Sequence, residues 1–172
     1  MKLIVRFFAF LVVASIAGAI AVRVARREAE LMPDPAADEV RLSAILEPLS
    51  FHSTSQAFRG GTLDCWYGGG VLDLRDAQLH PEGARLKVRA LFGGGQILVP
   101  ESWSVVSDVR GVGGLSDSRP AQERPADAPL LSIEGPVLFG GFSVSSTMSE
   151  AQVRGLEQAT AWQERHRPVA IG

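Results

Sequence analysis

In Ala84-Arg85-Leu86-Lys87-Val88-Arg89-Ala90-Leu91-Phe92-Gly93-Gly94-Gly95-Gln96-Ile97-Leu98-Val99-Pro100 two patterns meet. Leu86, Val88, Ala90 and Phe92 alternate with Arg85, Lys87, Arg89 and Leu91. That period of two is the mark of a strand with one buried face. Three glycines follow, then a second short apolar run that stops at Pro100. Pro100, like Pro136 further on, is expected at a strand end, where a missing N–H does least harm. Glycine is a poor strand residue on entropy alone. A glycine run between two strand-like segments therefore needs a geometric reason. Either the chain bends with positive φ, or neighbouring backbones approach too closely for a Cβ.

The form recurs. Trp66-Tyr67-Gly68-Gly69-Gly70-Val71-Leu72-Asp73-Leu74, Val112-Gly113-Gly114-Leu115 and Leu138-Phe139-Gly140-Gly141-Phe142-Ser143-Val144 repeat it, and Phe58-Arg59-Gly60-Gly61-Thr62-Leu63 is a secondary instance. The tracts begin at Gly68, Gly93, Gly113 and Gly140, a loose period that marks a repeat architecture. The expectation is an all-β, glycine-punctuated β-solenoid of stacked rungs. Gly60, Gly61, Gly68, Gly69, Gly93, Gly94, Gly113, Gly114, Gly140 and Gly141 are its structural positions, and Phe92 and Phe139 are expected to fill the core that the glycines leave open. A phosphate-cradling loop would want a helix after the glycines. Here a strand-like run follows each time, and no Gly-Lys-Ser/Thr occurs.

Outward from this domain, residues 3–22 are apolar apart from Arg6 and Ser15, with Lys2 before them and Arg23, Arg26 and Arg27 after. As a helix this run spans a bilayer core of roughly 30 Å. A single-pass anchor is expected over residues 1–30 with its basic flank. The alternative is a cleaved signal peptide ending near Ala17-Gly18-Ala19. The positive-inside rule and the single cysteine lean toward a cytoplasmic domain. Residues 31–39, with Pro33 and Pro35, read as a linker, and Asp38 to Leu46 as a short helix or a strand. The β-repeat domain covers 40–146, with Arg119 to Pro129 a surface loop between two rungs. Thr147 and Glu150 form a capping-box pattern that opens a C-terminal helix from Met148 to Arg165 within 147–172.

The chemistry-bearing residues are sparse. Cys65 is alone, which excludes an internal disulfide and a multi-cysteine zinc site, and it reads as a small core residue. Beyond residue 30 acidic residues outnumber basic ones, so nucleic acid is disfavoured as a partner. Asp64, Asp73, Arg75, Asp76, His52 and His80 are the polar candidates for a catalytic site. Each reads as a surface residue, with Asp73 and Asp76 at a strand end and its turn, and His80 in a loop. No catalytic residue, cofactor or metal is assigned.

The tract Ala90 to Ile97 with Val99-Pro100-Glu101-Ser102-Trp103 after it resembles the C-terminal domain of the LiaF-like family, the cell wall-active antibiotics response group. Leu72-Asp73-Leu74-Arg75-Asp76-Ala77, Val137-Leu138-Phe139-Gly140-Gly141 and Ser55-Gln56-Ala57-Phe58-Arg59-Gly60-Gly61 fit the same element. The resemblance runs from Val40 to Ser146. Three features depart from it: Ala44-Ile45-Leu46-Glu47-Pro48 stands where a first glycine repeat is expected, the Val112 tract lacks its aromatic, and one membrane helix is expected where the family often has several. The resemblance implies a β-solenoid-like domain with a non-enzymatic, membrane-associated role in the envelope-stress response, and the expected function is a membrane-tethered interaction module that acts through a protein partner. A self-associating structural protein, or an enzyme with an unrecognised carboxylate site, are the alternatives.

Overall fold

The computed structural model describes residues 32–121, 125 and 127–148, and within them every regular element is a strand. The expected anchor over 3–22 and the expected helix beyond Met148 lie outside the described residues. The strands are β1 (Glu39–Ile45), β2 (Leu49–His52), β3 (Gly60–Trp66), β4 (Gly69–Asp73), β5 (Ala84–Leu91), β6 (Gly94–Leu98), β7 (Ser104–Asp117) and β8 (Leu130–Ser145). The segment left open between helix and strand, Asp38 to Leu46, is β1.

All pairings are parallel. The sheet runs β1-β3-β5-β8-β6-β4-β2 and turns back on itself at β8, whose first half pairs with β5 and second half with β6. Two limbs therefore face each other across a nearly closed sheet. Each pair β1/β2, β3/β4 and β5/β6 is one rung bent at a corner, and β7 and β8 pass the corner without a break.

The alternation in Ala84–Leu91 is realised residue by residue: Ala84, Leu86, Val88 and Ala90 are buried, and Arg85, Lys87 and Arg89 are exposed. Val40, Leu42, Leu63, Cys65, Ile133 and Val137 line the same limb, and Phe51, Leu72, Ile97, Phe142 and Val144 face them from the other. Phe58, Leu74, Val99 and Trp103, from the connections, close the remaining side. Pro136 is not at a strand end but inside β8.

The paired glycines have a directional logic. An added Cβ on Gly68 would meet the Glu47 carbonyl oxygen at 3.0 Å, on Gly93 that of Gly68, on Gly140 that of Gly93, and on Gly113 that of Gly140. The first glycine of each pair thus faces the rung before it. The second faces the rung after it: Gly94 meets Gly141 and Gly141 meets Gly114, at 3.3 Å in the latter case. Gly69 is looser, with Gly94 at 3.8 Å, and Gly114 has nothing within 4 Å, because no described strand lies beyond it. Glu47 stands where the first rung has no glycine, and among the described residues no strand precedes that rung in the stack. Gly60 and Gly61 are crowded by Arg85 and Val40 backbone and also hold φ of +116° and +137°.

The spatial order of the tracts differs from their sequence order. β8 lies between the β5/β6 rung and β7, so the tracts stack as 68, 93, 140, 113. Composition accounts for this. The inward positions of β8 include Leu131, Ile133, Val137, Phe142 and Val144, all buried. The partners of Leu131, Ile133 and Val137 on β7 are Val105, Ser107 and Gly111. The more apolar strand takes the place flanked on both sides.

Gly140→Val is expected to destabilise by about 3 kcal/mol or more, the upper end of overpacking, because rigid backbone rather than a movable side chain fills the space. Gly114→Val, in the same motif, is expected to change stability by less than about 1 kcal/mol. Thermal or urea unfolding of the two variants checks this, and equal effects would remove the directional account of the pairs.

Candidate functional site

Every corner except that of β7 is turned by one non-glycine residue in the left-handed region: Leu46 (φ 60°), Tyr67 (φ 53°), Phe92 (φ 49°) and Phe139 (φ 54°). The ladder continues through them. The Leu46 N–H donates to the Trp66 carbonyl at 3.0 Å, Tyr67 to Leu91 at 2.9 Å, and Phe92 to Leu138 at 3.0 Å. This conformation breaks the period of two. Phe92 would point inward with Ala90 if the strand ran on, and the left-handed turn sends it outward instead.

The expectation that Phe92 and Phe139 fill the core is therefore corrected. Tyr67, Phe92 and Phe139 are 56%, 51% and 58% exposed. They stack on one another in a row, with ring centroids 5.3 Å apart for Tyr67 and Phe92 and 4.9 Å for Phe92 and Phe139. Leu46 extends the row at one end. The row stops at Phe139, because a register shift between Val112 and Gly113 leaves β7 one residue short at the corner. Trp66 and Leu138, the last outward residues before the corner, are also exposed and flank the row.

Energetics single this row out. A left-handed conformation costs a non-glycine residue about 1–2 kcal/mol, and Gly or Asn would relieve it. The chain holds four large apolar residues there. Aromatic stacking returns about 0.5–1.5 kcal/mol per pair, and two pairs do not offset four strained corners. Half-exposed rings also forgo much of the burial that would otherwise justify them. Neither backbone conformation nor core packing asks for Leu, Tyr, Phe and Phe at these positions. This contiguous exposed apolar strip is the candidate functional site of the described fold.

The polar candidates fall into separate places. His52 and Asp73 end adjacent strands in register. Arg75 grips Asp73 through Nε at 2.9 Å and Nη2 at 2.7 Å, and its backbone N–H donates to Asp73 Oδ1 at 3.1 Å. His52 lies between the two carboxylates, Nδ1 3.5 Å from Asp73 and Nε2 3.1 Å from Asp76. Asp73 is buried rather than on the surface. Burial pushes its carboxyl up, but the hydrogen bonds and charge of Arg75, with His52, outweigh that and hold it below the usual carboxylate range. Asp64 is elsewhere, held bidentate by Arg89 at 2.6 Å on the outer face. His80 sits in a loop against Arg59 at 2.6 Å. Among the described residues no group of three or more His, Cys, Asp or Glu is placed to hold a metal ion.

An open groove of about 520 Å³ on the outer face is lined by Lys87, Arg89, Asp108, Arg110, Glu134 and Pro136, among others. Its charges are largely tied to one another, Arg89 to Asp64 and Arg110 to Asp108 at 2.8 Å. Cys65 is buried, and burial followed by the Asp64 charge pushes its thiol up to about 12. It is a packing residue, not a thiolate. Among the described residues no helix is long and apolar enough to cross a membrane. Compared with protein-family models, curated proteins and solved structures, the chain matches none.

Truncating Phe92 or Phe139 to Ala is expected to cost less than about 1.5 kcal/mol, whereas Phe58→Ala, at a fully buried ring, is expected to cost about 3–5 kcal/mol. Denaturant unfolding of the three variants reads the difference. Similar losses at all three would show that the row is part of the packing. Asp73 gives a pH signature. Its depressed carboxyl contributes stability that is fully present above the unfolded value near 4 and is lost as pH falls through the lower folded value. The stability gap between wild type and Asp73→Asn is therefore expected to be flat above about pH 5 and to shrink below about pH 4. A gap unchanged down to the lowest pH at which both fold would contradict the Arg75 clamp.

Proposed function

We propose that this protein is a membrane-tethered, non-enzymatic docking module of the cell envelope, built as a β-solenoid, whose contact surface is the row Tyr67, Phe92 and Phe139 with Trp66 and Leu138 beside it. The observation that carries this reading is the row itself: large apolar side chains held half-exposed, on backbone that favours other residues. Its chemistry suits a protein partner that presents an apolar ridge, since flat stacked rings supply contact area with little side-chain entropy to lose. The apolar run over residues 3–22 supports the tether. The resemblance of the glycine tracts to LiaF-like domains supports a role in the response to envelope stress, and the basic residues Arg23, Arg26 and Arg27 with the single cysteine support a domain on the cytoplasmic side.

The polar cluster offers less to an enzymatic reading. Asp73 is committed to Arg75, and Asp76 is exposed.

The full-length chain carrying Tyr67→Ala, Phe92→Ala and Phe139→Ala together tests the reading in the native host under cell wall-active antibiotic challenge. At unchanged abundance and membrane association, the triple variant is expected to behave like a deletion. Full complementation by the triple variant would overturn the proposal.

A further inference from the structure

Among the described residues β7 is the last strand at its end of the sheet and pairs with β8 alone. Its other edge is a long template of backbone donors and acceptors. The hydrogen bonds fix which residues face it. The Ser104 N–H donates to Pro129 and the Ser118 N–H to Val144, so even-numbered residues of β7 direct their backbone groups at β8. Val105, Ser107, Val109 and Gly111 direct theirs at the free edge. The side chains also alternate: Val106, Asp108, Arg110 and Val112 point outward, in register with Ser132, Glu134, Pro136 and Leu138. No proline or lysine guards the edge from Ser104 to Asp117. Val106 and Val112 are 55% and 62% exposed.

The outward row Val106, Asp108, Arg110, Val112 is complementary to itself when reversed. We propose that the β7 edge is a homodimer interface, occupied by β7 of a second copy in antiparallel pairing about a two-fold axis at Val109. Asp108 then faces Arg110 of the second copy, Arg110 faces Asp108, and Val106 and Val112 face each other. Both salt-bridged pairs and both Val pairs fall at the non-hydrogen-bonded positions, where opposed side chains lie closest. Val105 meets Gly113 and Ser107 meets Gly111, so each larger inward residue meets a glycine. The pairs at Val109, Ser107 and Val105 use the backbone groups that the edge leaves free.

Neighbouring registers are excluded by the same residues. Moving the axis to Asp108 sets the two Asp108 carboxylates against each other, and moving it to Arg110 opposes the two guanidiniums. Axes at Ser107 or Gly111 place a charge against a valine. Like charges directly opposed destabilise a strand pair, so the sequence selects one register out of five. Arg110 already reaches Asp108 in its own strand, and the dimer gives each carboxylate a second cation across the interface.

The full-length chain in detergent tests this by sedimentation and by cysteine cross-linking. Val109→Cys places two thiols at the axis, where opposed Cα atoms about 5.5 Å apart allow a disulfide. Ser107→Cys places them four residues apart along the strand, roughly 13 Å out of reach. Efficient cross-linking of Val109→Cys and none of Ser107→Cys is expected; the buried Cys65 is inert in both. By sedimentation, Asp108→Arg and Arg110→Asp are each expected to weaken association about tenfold or more, and the double exchange to restore it. Equal cross-linking at both positions, a monomeric wild type at about 100 μM, or a dimer indifferent to both single reversals would overturn the proposal. If a charge variant fails to fold, the cysteine pair decides.

Discussion

Backbone packed on backbone at the corner of every rung is the constraint from which the rest of this structure follows. Strands in a parallel sheet stack about 4.8 Å apart. Where the chain also turns, the Cα of the residue after the turn is driven toward a neighbouring carbonyl. One glycine clears the rung behind, and the next clears the rung ahead. The pair is thus two solutions to two collisions, and its exceptions fall at the ends of the stack. Among the described residues no strand lies behind Glu47 and none lies ahead of Gly114. The absence of a glycine pair in Ala44-Ile45-Leu46-Glu47-Pro48 fits the place of this rung as the first of the described stack.

The same corner sets the outer surface. In every rung except β7 one left-handed residue reverses the side-chain direction that alternation would give, so a residue expected inside is placed outside. Because the rungs are in register, the reversed residues align into a row rather than scatter. β7 lacks the corner residue and so adds nothing to the row.

Much of this was legible in the sequence. The alternation of Leu86, Val88 and Ala90 with Arg85, Lys87 and Arg89 located a one-faced strand, and the glycine tracts located the corners. Three features were not. The period of two assigned Phe92 to the core because alternation carries no information about a single left-handed residue, and phenylalanine gives no sign of one. The order of the rungs was hidden because parallel strands need not stack in chain order. Ser107 and Gly111, at inward positions of β7, are the trace of its place at the edge. The clustering of His52, Asp73, Arg75 and Asp76 was hidden in part: the last three are close in sequence, but His52 reaches them only through the β2–β4 register. For the aromatic row, the available signal was the repeated placement of a large apolar residue immediately before glycine, where a Gly or Asn would suit a turn.

The two surfaces are compatible with each other because they occupy different parts of the same limb. The row from Leu46 to Phe139 lies along the corner and ends one strand short of the open edge, whereas the antiparallel match on β7 is centred at Val109, before the corner is reached. A two-fold axis normal to that limb would leave both rows on the same face of one continuous sheet. Two copies would then present two identical aromatic strips at a fixed separation. A partner with two apolar ridges would engage the second strip as an intramolecular step, with affinity set by the match of spacing rather than by any new contact. The charge pair at Asp108 and Arg110 would in that case act on partner binding from a distance, by fixing the register that fixes the spacing.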